Sequence, residues 1–326
     1  MKLARRKKAI SAVFLVAVLS VPAWSSNTDN NRQSANPGTL NYIEGQASIA
    51  GQTLDSKSVG SAQLQAGQSL ETGNGKAEIL LTPGVFLRLG SNSNVRMISP
   101  NLTNTELALS QGEAMLEVDE LHSQNDIRIS QPGASTRVLK TGLYEFNAAN
   151  RDVRVFDGKA AVQENDREVA VKGGHELALN ADDKPKARGF DKKQVAGSND
   201  LYRWSSLRSE YLSEANVESA RVYVANGSYG PGWFGPGWYW NPWFGAFTFL
   251  PADGFLYNPF GWGFYSPLVV YRVPLVRPSE SVPHRFDSTR RAPAIGSGFR
   301  DHSVRSLHGG ASMSGFHSGA PGRPPR

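Results

Sequence analysis

With 326 residues, 33 glycines, 19 prolines and no cysteine, the chain is long enough for one or two packed domains but has no thiol for a disulfide, a thiolate metal site or a lipid anchor. Its formal net charge of +6 suggests a nucleic-acid footprint until the charge is located. Lys2, Arg5, Arg6, Lys7 and Lys8 lie in the first eight residues, and eight arginines face three acids beyond residue 275, leaving residues 27–275 at about −4 with no basic folded face for phosphates. Nucleic acid is therefore excluded as a partner.

Residues 1–25 have the form of a secretory signal: a basic start, an apolar run from Ala9 to Val21, and the small-x-small site Ala23-Trp24-Ser25. The apolar run is shorter than the roughly 20 residues of a comfortable span. Cleavage near Ser25 is expected, giving a periplasmic or secreted product with no stable transmembrane span. Residues 26–39 are polar and aperiodic and form a disordered lead-in.

Residues 40–180 carry the strongest signal. Leu70-Glu71-Thr72, Gly75-Lys76-Ala77-Glu78-Ile79-Leu80-Leu81 and Gly84-Val85-Phe86-Leu87-Arg88-Leu89 alternate apolar and polar side chains between glycine-bearing turns. That is the pattern of consecutive half-buried strands. Similar short runs recur near Glu106, Glu113, Asp126, Ser135, Leu143, Val153, Ala160, Glu168 and Glu176, with no helix-length periodicity between them. The fold class is all-β, with short strands.

Residues 181–199 are charged and interrupted by Pro185, and read as a linker. Over residues 200–223 the period changes: Leu201, Trp204, Leu207, Tyr211, Leu212 and Val217 recur at three or four residues, with Arg203, Arg208 and Glu210 between them. This predicts one amphipathic helix with Asp200 as N-cap. Residues 224–275 form an aromatic Gly/Pro-rich segment too broken for a spanning helix. Within it, Gly237-Trp238-Tyr239-Trp240-Asn241-Pro242-Trp243-Phe244-Gly245 is echoed by Gly254-Phe255-Leu256-Tyr257-Asn258-Pro259-Phe260-Gly261-Trp262, a duplicated Asn-Pro turn. Residues 276–326 are a basic tail with no capacity for a core.

The ordered strings from Leu70 to Ser93, Leu107 to Val118, Thr141 to Phe146, Val153 to Val162 and Val171 to Leu179 resemble the periplasmic domain of FecR-family proteins. The resemblance implies a β-roll or β-sandwich-like unit and, for full-length family members, a role in carrying an outer-membrane receptor signal to a cytoplasmic sigma factor. The chain departs from that pattern. Only eight residues precede the apolar core, where family regulators have a cytoplasmic domain, and Leu143 stands where the family has a small polar residue.

Little in the sequence points to catalysis. Gly230 to Gly235 fits G-x-G-x-x-G, but Pro231, Trp233 and Phe234 would keep a pyrophosphate from the backbone. His122 and His175 read as surface turn residues and His284, His302, His308 and His317 as a solvated tail, so no metal site or cofactor is expected. Glu113 and Glu117 share a strand face within an acidic cluster completed by Asp119 and Glu120, an arrangement suited to a cation or an acid–base pair, and read as a solvated face.

Trp233, Trp238, Tyr239, Trp240, Trp243 and Trp262 form the one candidate binding surface. They read either as rings for a glycan or protein partner, or as the core of a small module packed on the helix. The expected function is that of an exported, non-enzymatic envelope protein whose β domain is a scaffold or interaction module with a protein or glycan partner. The alternatives are FecR-type signalling to a sigma factor and peptidoglycan binding through the aromatics.

Overall fold

The computed structural model describes residues 35–179, 185–225 and 236–270. The expected signal peptide, most of the lead-in, the Gly230 to Gly235 hexapeptide with Trp233, and the basic tail lie outside the described residues.

In chain order the elements are β1 (Leu40–Ile49), β2 (Gln52–Thr53), β3 (Ser69–Leu80), β4 (Val85–Leu89), β5 (Asn94–Asn101), β6 (Asn104–Gln111), β7 (Glu113–Val118), β8 (Asp126–Gln131), β9 (Ala134–Val138) and β10 (Gly142–Asn147). They continue with β11 (Asp152–Asp157), β12 (Lys159–Glu164), β13 (Arg167–Lys172), β14 (His175–Ala178), β15 (Arg188–Gly189), α1 (Lys192–Ser198), α2 (Asp200–Ala225), β16 (Gly237–Asn241), β17 (Ala246–Leu250), β18 (Phe255–Tyr257) and β19 (Gly263–Tyr265). The protein is mostly β, as its alternation predicts.

One sheet runs β13-β12-β9-β8-β6-β5-β3-β4-β7-β10-β11-β14-β15, with β1 on β3 and β2 on β1. Pairing is antiparallel except between β6 and β8. The strand β3 joins the two wings: Ser69 to Glu71 pair with β5, and Ala77 to Leu80 pair with β4. The glycines expected to divide this stretch into two strands instead lie inside one. A Cβ on Gly75 would stand 2.4 Å from the Glu44 carbonyl oxygen, so glycine lets β1 cross closely where the register shifts between Gly45 and Ala47.

Side chains alternate between two environments. One face of both wings supplies a single core that includes Ile79, Leu87, Leu107, Leu116, Ile129, Phe146, Val155, Val162 and Val171, so the sheet closes over itself. The opposite face of β3, β4, β7, β10 and β11 carries Glu78, Phe86, Arg88, Met115, Glu117, Leu143, Glu145, Arg154 and Phe156. A face of this composition would meet water in an ordinary half-buried antiparallel sheet. Here α2, β17 and β19 cover it, and β4 and β10 are buried at every position.

The cover differs from its sequence reading in three respects. The linker holds the short strand β15 and helix α1, which Asp191 caps by accepting from the N–H groups of Lys193 and Gln194. The N-cap of α2 is Asn199, whose Oδ1 accepts the Tyr202 N–H at 2.7 Å, and Asp200 is the first helical residue. The buried stripe of α2 is Leu201, Trp204, Ser205, Arg208, Ser209, Leu212, Ser213, Ala215, Asn216 and Ala220, whereas Leu207 is 42% exposed. Arg208, expected between the apolar positions, is fully buried. The stripe is half polar because the face beneath it is charged.

The duplicated turn becomes two β-hairpins, β16–β17 and β18–β19. In the first, Asn241 Oδ1 accepts from the N–H groups of Trp243 and Phe244; in the second, Asn258 Oδ1 accepts from those of Phe260 and Trp262. Each is an Asx-type turn, and Gly245 and Gly261 reach φ of 58° and 91°, which side-chain-bearing residues rarely adopt.

Leu143 lies under the helix with Met115, Phe156, Leu201 and Trp204. A Leu143→Thr variant is expected to lose about 1–3 kcal/mol of stability in urea denaturation, because it thins this cluster and buries a hydroxyl. An unchanged midpoint would mean that α2 does not press on β10.

Candidate functional site

At the centre of the covered face, four ionised side chains are buried together. Glu78 and Arg88 are directly opposed on β3 and β4, and Glu117 on β7 is diagonal to Arg88. Arg88 Nε donates to Glu78 Oε2 at 2.7 Å, and its Nη1 donates to Glu117 Oε2. From α2, Arg208 Nη2 reaches Glu78 Oε1 at 3.0 Å, and Ser209 Oγ donates to Glu117 Oε1 at 2.6 Å.

The hairpins complete the site. Asn258 Nδ2 donates to Glu117 Oε1 at 2.6 Å, and Asn41 Nδ2 donates to Glu78 Oε1 at 2.8 Å. Asn41 also pairs with both backbone groups of Phe247, accepting its N–H and donating to its carbonyl. The Arg208 guanidinium lies 4.0 Å from the Tyr42 ring centroid and 5.2 Å from that of Tyr211, so aromatic faces cover the charge that hydrogen bonds leave.

Two carboxylates thus face two guanidiniums with no exposure to solvent. Burial works against the charged form of Glu78, but Arg208 and Arg88 outweigh it and hold the carboxyl at about 2. The pairing also corrects the reading of Glu117 as part of a solvated face. Glu117 and Glu113 do share a face, but the cover removes Glu117 from water, while Glu113 accepts from Asn147 Nδ2 at 2.8 Å. Neither is placed as an acid–base pair.

A second cluster clamps the start of α2. Arg154 contacts Glu145, Asp152 and Glu176, and Glu145 Oε1 accepts from Asn199 Nδ2 at 2.7 Å. Asn199 therefore caps the helix with one side-chain atom and fastens it to β10 with the other. Lys76–Asp200 at 2.9 Å and Trp204 Nε1 to Glu44 at 2.9 Å add to the clamp.

Burial, opposed by Arg154, pushes Glu145 up to about 7, and burial likewise raises Asp152 to about 6. A folded pKa above the unfolded value of about 4.5 means that the folded state holds the proton more tightly, so stability falls as pH rises from about 4.5 to 7. A Glu145→Gln variant is expected to flatten stability against pH across that window in urea titrations. An identical slope in the variant would show that Glu145 ionises normally.

The sequence-predicted aromatics divide. Trp238 packs edge-on against Phe86 at 4.9 Å and Phe249 at 5.9 Å, and Tyr239 against Tyr223 at 5.7 Å. Trp262 is partly buried, with its Nε1 enclosed. These three serve the interior of the cover. Trp240 is 39% exposed and Trp243 72% exposed at the first hairpin, joined on the second by Phe255 and Tyr257. Trp233 lies outside the described residues.

His122 is at the surface, 3.0 Å from Glu120, and His175 lies in β14 beside the Gly173 carbonyl. Among the described residues, no three His, Cys, Asp or Glu side chains are grouped to hold a metal ion. No described helix is long and apolar enough to cross a membrane.

Sequence reasoning missed the ion network. Its two acids and Arg88 are legible only as polar positions in alternating strands; the signal that they are covered is the run of serines, Arg208 and Asn216 at helical spacing on α2.

Two crystal structures of a candidate anti-sigma factor from Parabacteroides distasonis align at 15% identity and a TM-score of 0.35, covering 39% of this chain and 62% of theirs. The chain thus spans about three fifths of the length of those structures. No curated protein matches. Residues 68–161, from the start of β3 into β12, match the family described as FecR protein, so this stretch of the β unit is similar to the FecR domain.

Proposed function

We propose that this chain is a FecR-type signalling protein that works by binding proteins on the envelope side of the inner membrane and does not perform catalysis. The observation that carries the reading is the family match from β3 to β12. The site chemistry agrees with it: Glu78, Glu117, Arg88 and Arg208 are occupied by one another, holding the cover onto the sheet. The signal-like form of residues 1–25 supports this reading, since export would bring the domain to where an outer-membrane signal arrives. The helix and hairpins are then the chain's own addition, occupying one sheet face and leaving the far edges and the second wing for partners.

Deleting the chain from its host is expected to change transcripts governed by one alternative sigma factor, and N-terminal sequencing from envelope fractions is expected to find residues 1–21 kept as the anchor this role needs; a product starting near residue 26 would favour the scaffold role. An unchanged transcriptome alongside an intact envelope complex would favour the scaffold role instead.

The exposure of Trp243, Trp240, Phe255 and Tyr257 supports a second reading, glycan stacking. That reading predicts a shift of tryptophan emission on adding peptidoglycan fragments, lost in Trp243→Ala. An unaltered spectrum would end it.

A further inference from the structure

Beside the ion network lies a small pocket of about 80 Å³, lined by Asp119, Thr141, Asp157, Tyr257, Asn258 and Pro259 among others. It forms where the end of β7, the start of β10 and the β11–β12 turn meet the second Asn-Pro turn. Asp119 is only 8% exposed, and neither carboxylate oxygen has a hydrogen-bond partner among the described residues.

Its neighbours are already engaged. Asn258 donates to Glu117 and Ser209, and Arg88 is in ion-pair contact with Glu78 and Glu117 but not with Asp119. The network is balanced without Asp119, which therefore lines the pocket as a carboxyl beyond that balance, together with Asp157. Burial first, then the charge of Glu117 and a side-chain hydrogen bond that the protonated acid shares with it, raise the Asp119 carboxyl well above the usual range, so the pocket alone favours the protonated acid and an entering cation displaces that proton. Ionised by a cation in the pocket, this carboxyl would present two acceptor oxygens to it.

The shape and lining select the ligand. The space equals about three waters, enough for one small head group and too small for a sugar or nucleotide. Calcium wants six to eight oxygen ligands, whereas two carboxylates and a tyrosine ring suit a flat organic cation better. A guanidinium offers five N–H donors to carboxylates and a planar face to the ring.

We propose that this pocket receives one guanidinium head group, that of an arginine on a partner protein, with Asp119 at the floor, Asp157 at the rim and the Tyr257 ring alongside. The proposal deepens the protein-binding reading and rests on it only for the source of the arginine, because the head group alone tests the site.

The full chain would be titrated with ethylguanidinium, N-acetyl-arginine amide, the neutral isostere N-acetyl-citrulline amide, and calcium chloride, by calorimetry and by NMR of the Gly142 and Tyr257 amides. Ethylguanidinium and the arginine amide are expected to saturate one site and compete with each other. Citrulline is expected to leave it empty, and Asp119→Asn to weaken binding at least tenfold without lowering the urea midpoint. Asp157→Asn should weaken it less.

Equal binding of citrulline, an unaffected Asp119→Asn variant, or displacement of guanidinium by calcium would overturn the assignment. Binding of ethylguanidinium but not of the peptide-like arginine would assign the pocket to a free small cation, contradicting the partner arginine. Failure of all guanidinium compounds removes the site and leaves the family reading intact. Guanidinium binding without any captured envelope protein would remove that reading and keep the site.

Discussion

Replacing Arg208 by methionine is expected to lower the unfolding free energy by about 3–5 kcal/mol, the cost of leaving a buried charge without its partner. The variant keeps most of the apolar stem but leaves Glu78 and Glu117 to share Arg88, one buried negative charge in excess. Adding Glu78→Gln to Arg208→Met restores a one-to-one balance of Arg88 with Glu117, and the pair is expected to recover most of the loss. The two residues are 130 positions apart in sequence, so such coupling in a double-mutant cycle would report the docked helix directly. A single-variant loss under about 0.5 kcal/mol, within the range of ordinary surface substitutions, would mean that Arg208 is solvated and the helix is not seated on β3.

The second large effect is expected at Asn258. Its Oδ1 closes the second hairpin turn by accepting from Phe260 and Trp262, and its Nδ2 reaches Glu117 and Ser209. Asn258→Ala removes all four contacts and orphans buried groups on both sides, at a cost on the order of 3 kcal/mol. The equivalent Asn241 closes the first turn and donates to the Ala215 carbonyl and Ser219 Oγ, so Asn241→Ala should have a similar cost. Asn258→Asp should be worse than Asn258→Ala at neutral pH, since it sets another carboxylate against Glu117, and the gap should narrow as acid protonates it. Denaturation of the three variants at two pH values checks the order. Two silent asparagines would reduce the echo in the sequence to coincidence.

These expectations explain which parts of the structure could be read from the chain. Strand alternation over residues 70–179 is a local signal set by the pleat, so the β unit was legible. Its outer face was not. Glu78, Arg88 and Glu117 have the spacing of solvated residues, and nothing within β3, β4 or β7 says that a helix more than 80 residues later covers them.

Leu143 was no clearer: in sequence it is only a departure from the resemblance, and its place against Leu201 and Trp204 is what shows the covered face.

On α2 the apolar reading favoured Leu207 and passed over Arg208, because amphipathic periodicity counts carbon and not charge. The true stripe is set by what lies beneath it. In the aromatic segment the repeated Asn-Pro pair was visible, but the role of each asparagine as both turn former and helix anchor depends on partners distant in sequence. The same holds for Trp238 and Trp243, which look alike in sequence and differ only in whether the hairpin turns them toward Phe86 or toward water.

The central claim is that α2 and the hairpins fold as one cooperative unit with the large sheet. Native-state hydrogen exchange of the full chain tests it residue by residue. Amides of Leu212, Ala215 and Phe249 are expected to open with the same free energy as those of Leu87 and Leu116 in the sheet core, since both exchange through global unfolding. Rapid exchange of the helix and hairpin amides beneath a still-protected sheet would contradict it.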